Sequence, residues 1–335
     1  MITKITPTLF SLLIATVILP YISYGQTPTE DQLRLLLPTA KELQGFVRFN
    51  DSTTIGELVS TVPKGEAEFS IPGHPPVQVI KDRIFMNREQ PTLEGAIENF
   101  SLLERSFYTA NANLHLAMSV RACTSTKSSW AAFLALHGSA PQTPGKHASS
   151  DEIGTKSTTL NGDSPTLNFY HQKIAVHLNG SQSNVAERAH STIKFPAQSL
   201  DSIAFLIFLK AARHPELTGV TSRPVKVLVN GEAITAGNPI VVGKTVYVPA
   251  IDIAKKAGFV ATWDEPTGKL FITSETRAVN LLAGFDKAIT ANGKITKMKM
   301  PVLKEGGLPV MSLTDLVDVL GGKLEFDETT YYVRF

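Results

Sequence analysis

The 335-residue chain has a single cysteine, Cys123. One thiol makes no internal disulfide and no cysteine-based zinc site. Charge is scarce: Asp, Glu, Lys and Arg make up 19% of the residues, where an average soluble domain has about 25%. The formal net charge is only +2, without the basic excess of a dedicated nucleic-acid binder. No histidine follows His214. The eight present are His74, His115, His137, His147, His171, His177, His190 and His214, and no two stand four apart, the spacing of a helical zinc pair. There is no G-x-S-x-G nucleophile elbow. Long apolar runs are missing beyond the N-terminus. The nearest, residues 203–209, is bounded by Asp201 and Lys210 and has the length of a core helix. What is present is a 43% apolar content, too high for disorder throughout, and a length that suggests two domains.

Residues 1–25 read as a secretory signal peptide. Lys4 precedes a short apolar run over 9–19, Pro20 breaks it, and Ser23 and Gly25 occupy the −3 and −1 positions for cleavage before Gln26. No cysteine follows the run, so a lipoprotein anchor is excluded. A secreted or extracytoplasmic protein is expected, in the periplasm or on the cell surface, with no membrane span after cleavage.

Residues 27–215 read as a mixed α and β domain. Leu114, Leu116, Met118, Val120 and Ala122 alternate as in a strand with one buried face, which makes Cys123 a buried residue and points His115 to solvent. Residues 125–129 offer helix N-caps before Trp130, Phe133, Leu134 and His137 at helical spacing. Residues 138–150 read as a mobile loop, and 167–180 as a hairpin turning near His171 and Gln172. His171 and His177 then share a strand roughly 20 Å apart, too far for one metal. An apolar helix follows Asp201 and ends near Arg213. The class is α+β: an N-terminal α/β sandwich with an antiparallel sheet, then a C-terminal duplicated strand-helix-hairpin domain. Residues 216–223, rich in Pro, Gly and small polar residues, are expected to be a linker.

The region 224–335 is internally repeated, with half-repeats at about 224–273 and 277–335. Residues 247–265 align with 310–328, so Val310 stands 63 residues after Tyr247. Asp252/Asp315, Gly258/Gly321, Asp264/Asp327 and Glu265/Glu328 are identical, and Trp263/Phe326 is an aromatic pair. In each copy a short strand enters a helix closed by glycine, a strand ends at the aromatic, and an Asp-Glu turn leads to a last strand. Strands 225–229 and 278–282 lead toward Asn230-Gly231 and Asn292-Gly293 turns. The stretch 237–245 approaches a phosphate-binding loop, but its lysine and threonine enter a strand rather than a helix, so it reads as a hairpin.

These residues carry a resemblance. Val-Leu-Val with Asn230-Gly231, the strand ending at Pro249, the Ala-Lys-Lys-Ala helix end at Gly258, and Trp263-Asp264 resemble the copper amine oxidase N-terminal-like domain over 224–335. The resemblance departs at Ala250, where the family often continues Leu-Arg, and the second copy has Ser312 and Phe326 in place of Pro249 and Trp263. It implies an accessory or stalk module that is not the oxidase. The signature positions are Asn230, Gly231, Pro249, Asp252, Gly258, Trp263, Asp264, Asp315, Gly321, Phe326 and Asp327, all structural. A second resemblance, to the Mog1/PsbP-like sandwich, covers 27–215. Its entry segment is Leu35-Leu36-Leu37-Pro38 with Glu42 to Phe46, and its later strands are 153–154 and 167–179.

No catalytic residue, metal or cofactor is expected. Asp264-Glu265 and Asp327-Glu328 recur at matching turns, which marks turn chemistry rather than a glycosidase pair. Trp263, Tyr247, Tyr331 and Tyr332 read mainly as sheet packing. The expected function is a secreted or cell-envelope, non-catalytic, bacterial-type protein whose C-terminal module binds or spaces, with an unknown envelope, cell-wall or protein partner. The alternative is an extracytoplasmic hydrolase-class enzyme with its site in 27–215, drawing on His115, His171, His177 and Glu104.

Overall fold

The computed structural model describes residues 28–44, 46, 77–91, 94–109, 114–138, 147–150, 154–161, 164–182, 197–234 and 237–335. The expected signal peptide, the part of the expected loop over 139–146, Gly45, Ile153, His74 and His190 lie outside the described residues. No helix among the described residues is long and apolar enough to cross a membrane.

Helices α1 (Glu30–Leu36) and α2 (Ala40–Leu43) both open with a capping box: the Thr29 and Thr39 hydroxyls accept the third amide, and the Gln32 and Glu42 side chains reach back to the cap N–H. Strands β1 (Val77–Pro91), β2 (Ile97–Thr109), β3 (Leu114–Cys123), β4 (His147–Ser150), β5 (Gly154–Asn161), β6 (Ser164–His171) and β7 (Ile174–Gln182) build one antiparallel sheet in the order β1-β2-β3-β7-β6-β5-β4. Helix α3 (Thr126–Gly138) follows β3, and α4 (Ala197–Arg213) follows β7, beginning four residues before Asp201. The alternation in β3 buries Leu116, Met118, Val120 and Ala122 on one face with Leu167, Phe169, Ile174, Val176 and Leu178. α4 covers that face with Leu200, Ile203, Ala204, Leu206 and Ile207. Each large apolar side chain fully buried there contributes about 1.5–3 kcal/mol. Residues 147–150, expected within a loop, pair with β5 as an edge strand.

The stretch expected as a linker forms α5 (Pro215–Thr218) and β8 (Ser222–Pro224). Pro215 sits at the start of α5, where its missing N–H costs nothing, and Gly219 caps it with φ +66°. Thr218 Oγ1 donates to Ala211 O (2.8 Å), Ser222 Oγ donates to Ala212 O (2.7 Å), and Val220 is buried. Linker composition here serves caps and turns stitched onto the end of α4.

The first half-repeat contains β9 (Lys226–Val229), β10 (Glu232–Ala233), β11 (Ile240–Val242), β12 (Thr245–Pro249), α6 (Ala250–Lys256), β13 (Val260–Asp264) and β14 (Lys269–Thr273). The second contains β15 (Ala278–Leu282), β16 (Lys287–Thr290), β17 (Ile295–Lys297), β18 (Leu303–Glu305), β19 (Leu308–Ser312), α7 (Leu313–Leu320), β20 (Lys323–Asp327) and β21 (Thr330–Arg334). β16 intervenes before the Asn292-Gly293 turn, which the sequence placed directly after β15. Three sheets result: β18-β19-β12-β11-β8, β10-β9-β21-β20 and β13-β14-β15-β16-β17.

The halves meet reciprocally. In the antiparallel β12–β19 pair, Val248 faces Met311, its own counterpart 63 residues on. Tyr247 faces Ser312 while Pro249 faces Val310, so each residue meets the counterpart of the other. That is the contact pattern of a two-fold axis, here within one chain. Each half also lends its first strand to the other: β14 pairs with β15, and β21 with β9.

β12 is buried on both sheet faces. Val246 and Val248 enter a core with Leu270, Ile272, Leu281, Met311 and Leu316. Tyr247, with Ile240, Val242, Leu303 and Val310, enters the cluster that contains α4 and the seven-stranded sheet. The two regions therefore share one continuous core.

Candidate functional site

The sheet face opposite α4 is polar. Cross-strand register places Glu104 beside Ser119, Ser119 beside His177, and His177 beside Asn168, in one row over β2, β3, β7 and β6. Neighbouring strands lie about 4.8 Å apart, so Glu104 and His177 flank Ser119 at roughly 10 Å from one another. Arg121, two residues along β3, shares this face. His177 Nδ1 lies 2.6 Å from Asn168 Oδ1. An amide oxygen only accepts, so Nδ1 carries the proton and Nε2 keeps its lone pair. Burial, and then the Arg121 charge, lower the His177 pKa and keep the ring neutral at pH 7.

The Arg121 guanidinium lies over the Phe100 ring, 5.2 Å from its centre. Its Nε is buried without a hydrogen-bond partner among the described residues. Burial lowers its pKa, opposed by Cys123 and Glu104. Beyond Arg121, α3 closes the face with Trp130 and Phe133, which pack on Tyr170 of β6 with ring centres within 5.4 Å of one another. Cys123 is buried there, and burial pushes its thiol up to about 12, far from a reactive thiolate.

His115 lies on the same polar face but is half-buried, with Ser181 Oγ 3.4 Å from its Nδ1. Burial lowers its pKa, so the expected solvent-facing position needs correction: β3 is an inner strand, and β2 and β7 shield it. His171 and His177 do not share a strand as expected. The turn falls at Gln172 and Lys173, leaving His171 on β6 and His177 on β7. His171 faces the other way, edge-on to Phe208 of α4 with ring centres 5.1 Å apart.

In the C-terminal region, Asn230 (φ +49°) and Gly231 (φ +88°) make the left-handed turn between β9 and β10, and Asn230 Oδ1 accepts the Phe335 amide. Pro249 ends β12 and precedes α6, while Gly258 (φ +86°) and Gly321 (φ +72°) close α6 and α7. Asp264 accepts from the Thr267 hydroxyl at 2.5 Å within the turn, and Asp327 opens the matching turn. Asp315 is buried and accepts the amides of Lys299 (2.9 Å) and Met300 (3.0 Å), whereas Asp252 is half-buried in the first turn of α6. The Trp263 indole donates to Gly307 O (2.8 Å), while Phe326 is 51% exposed and stacks on Tyr331. Tyr247 is a core residue, and Gly243-Lys244 is the hairpin turn between β11 and β12.

Residues 228–335 match the family model described as the copper amine oxidase N-terminal domain. The C-terminal region is a copper amine oxidase N-terminal-like domain. The match spans just under a third of the chain and does not extend to the seven-stranded sheet. No curated protein and no solved structure matches the chain. This domain is non-catalytic in its family. Its residues do not fit a copper centre, because it contains neither histidine nor cysteine. Among the described residues of the whole chain, no three His, Cys, Asp or Glu side chains gather around one point.

The copper amine oxidase N-terminal-like domain is fastened to the first domain at the β18–β19 turn. Glu42 of α2 accepts from Lys210 Nζ (2.9 Å) of α4 and from the Gly306 amide (3.0 Å) of the turn. Burial alone would raise the Glu42 pKa, but the Lys210 charge and the Gly306 and Thr39 amides hold it below the ordinary value. Arg213 pairs with Glu305 (3.2 Å) and donates to Asn238 O (2.7 Å). The fully buried Lys304 donates to Gln44 O (3.2 Å) and Glu265 O (2.7 Å), and burial lowers its pKa. Lys304, Gln44 and Glu265 line a cleft of about 210 Å³ with Ala40, Lys41 and Pro266. At Gly284 (φ +77°) a Cβ would collide with the Phe46 carbonyl, so the two regions touch backbone to backbone there.

Sequence reasoning missed Arg121, Ser119 and Asn168 of the face and Glu42, Lys210 and Lys304 of the junction. Strand parity in β3 set Ser119 and Arg121 opposite the buried residues, but only the strand order brings them to His177.

Proposed function

We propose that the protein is a secreted or cell-envelope, non-catalytic protein in which the copper amine oxidase N-terminal-like domain acts as a stalk. It holds the seven-stranded domain so that the polar sheet face meets an envelope, cell-wall or protein partner. The observation that carries this reading is the junction. A shared core and the buried Glu42–Lys210–Gly306 contact fix α2 and α4, which cover one face of the sheet, against the stalk, and the Glu104–Ser119–His177–Asn168 row lies on the opposite face beyond the part that α3 closes. A support that must present a surface needs this rigidity, because a flexible tether would not fix its direction. The test is retention of the full chain on isolated cell-wall and envelope fractions. Retention that weakens when Ser119 and His177 are replaced supports the reading. Absence of retention on every fraction overturns it.

The hydrolase reading draws on Glu104 and His177 sharing one row. It requires turnover of an ester, amide or glycoside panel that His177→Gln abolishes.

A further inference from the structure

We infer that Arg121 and its neighbours on the polar face bind an oxyanion, a carboxylate or a phosphate, on a ligand that also carries hydroxyl groups. This rests on the reading of that face as the binding surface and names the chemistry it selects.

Among the described residues, the Arg121 guanidinium has no hydrogen-bond acceptor. Arg121 sits on an inner strand of the sheet, half-buried, with Nε shut off from solvent. Its contacts among the described residues are the Phe100 ring beneath it and the fields of Cys123 and Glu104. No carboxylate or carbonyl among those residues accepts from the guanidinium. Nε is sealed and takes no part in binding; the donors within reach of a ligand are the two Nη groups, which have no acceptor among the described residues. The Phe100 ring holds the guanidinium from one side, and its Nη1–Nη2 edge has the geometry that grips a planar or tetrahedral oxyanion with two parallel bonds.

The neighbours define the rest of the ligand. His177, with Nδ1 committed to Asn168, offers Nε2 as an acceptor. The Ser119 hydroxyl, opposite His177, both donates and accepts. Glu104 is an acceptor whose charge reaches Arg121 and opposes an anion there; it stands at the far side of Ser119 from His177, with Arg83 beside it on β1. An acceptor at each end of the row suits hydroxyl groups, and the arginine suits the acid. An acidic sugar or a sugar phosphate carries both.

Titration calorimetry on the full chain tests this with glucuronate, glucose 6-phosphate and glucose. Both acids, or one of them, are expected to bind about tenfold or more tightly than glucose, the worth of one charge-assisted pair. The stronger acid identifies carboxylate or phosphate as the source. Arg121→Gln is expected to remove that preference while the chain keeps a wild-type circular dichroism spectrum and a cooperative unfolding transition. Equal binding of acid and glucose, no binding of either acid, or an unchanged preference in Arg121→Gln overturns the inference. Envelope retention that neither acid competes away overturns it too and leaves the binding reading standing. Loss of all retention overturns the binding reading itself.

Discussion

The two halves of the C-terminal domain carry matching residues at a 63-residue offset and have different surroundings. Trp263 of the first half is half-buried and bonded to Gly307 at the junction, whereas its counterpart Phe326 lies exposed against Tyr331. The exchanged strands differ as well. β15 follows β14 after a link closed by Ser274 N to Arg277 O (2.7 Å), too short for anything but antiparallel pairing. β9 arrives from β8 and enters beside β21 in parallel. The two halves offer matching positions, but connectivity and a docked neighbour decide which of them become load paths. Sequence identity between the copies does not preserve energetic identity.

The contrast can be broken from its largest effect downward. Glu42→Ala leaves the Lys210 ammonium with no counter-charge at a site where the two side chains are 4% and 13% exposed. A loss of about 3–5 kcal/mol is expected in urea denaturation. Glu42→Met with Lys210→Met restores part of it, because no unpaired charge remains, while the Thr39 and Gly306 amides still lose their acceptor. Trp263→Ala is expected to cost about 3 kcal/mol, while Phe326→Ala costs less than about 1 kcal/mol, measured by the same curves. Equal losses at the two positions would show that the halves are still energetically equivalent.

Asp315→Ala strands the Lys299 and Met300 amides and is expected to cost about 1–3 kcal/mol, more than Asp252→Ala. The smallest effect comes from pH. The Glu42 pKa is lowered on folding, so its contribution is fully present above the unfolded carboxylate value and fades as pH falls through the folded one. Below the ordinary carboxylate range, thermal midpoints of wild type are expected to fall more than those of the Glu42/Lys210 double methionine variant.

The repeat was legible because its signals are local. Gly258 and Gly321 end helices, Asn230-Gly231 makes a turn, and the period-2 strands lie a few residues from both. The long β1–β2 hairpin was not legible. Its alternation breaks where Asn87 takes φ +51° and the register shifts between Phe85 and Arg88. The polar row was half legible. Glu104 and His177 stood out as titratable residues, but their common face depends on β7 inserting next to β3, a non-local pairing that no window of sequence contains. The junction was illegible for the same reason: Glu42 and Gly306 are 264 residues apart.

The segment from Pro215 to Pro224 has a practical consequence for anyone handling this protein. A chain cut there would not yield two independent pieces. The first fragment would keep α4 but lose Tyr247, Leu303 and Val310, which complete its apolar cluster. The second would carry those side chains and the Lys304 ammonium into water. Each half is the other's missing wall, so proteolysis at this point is expected to yield aggregates, or a nicked complex that stays together until denatured.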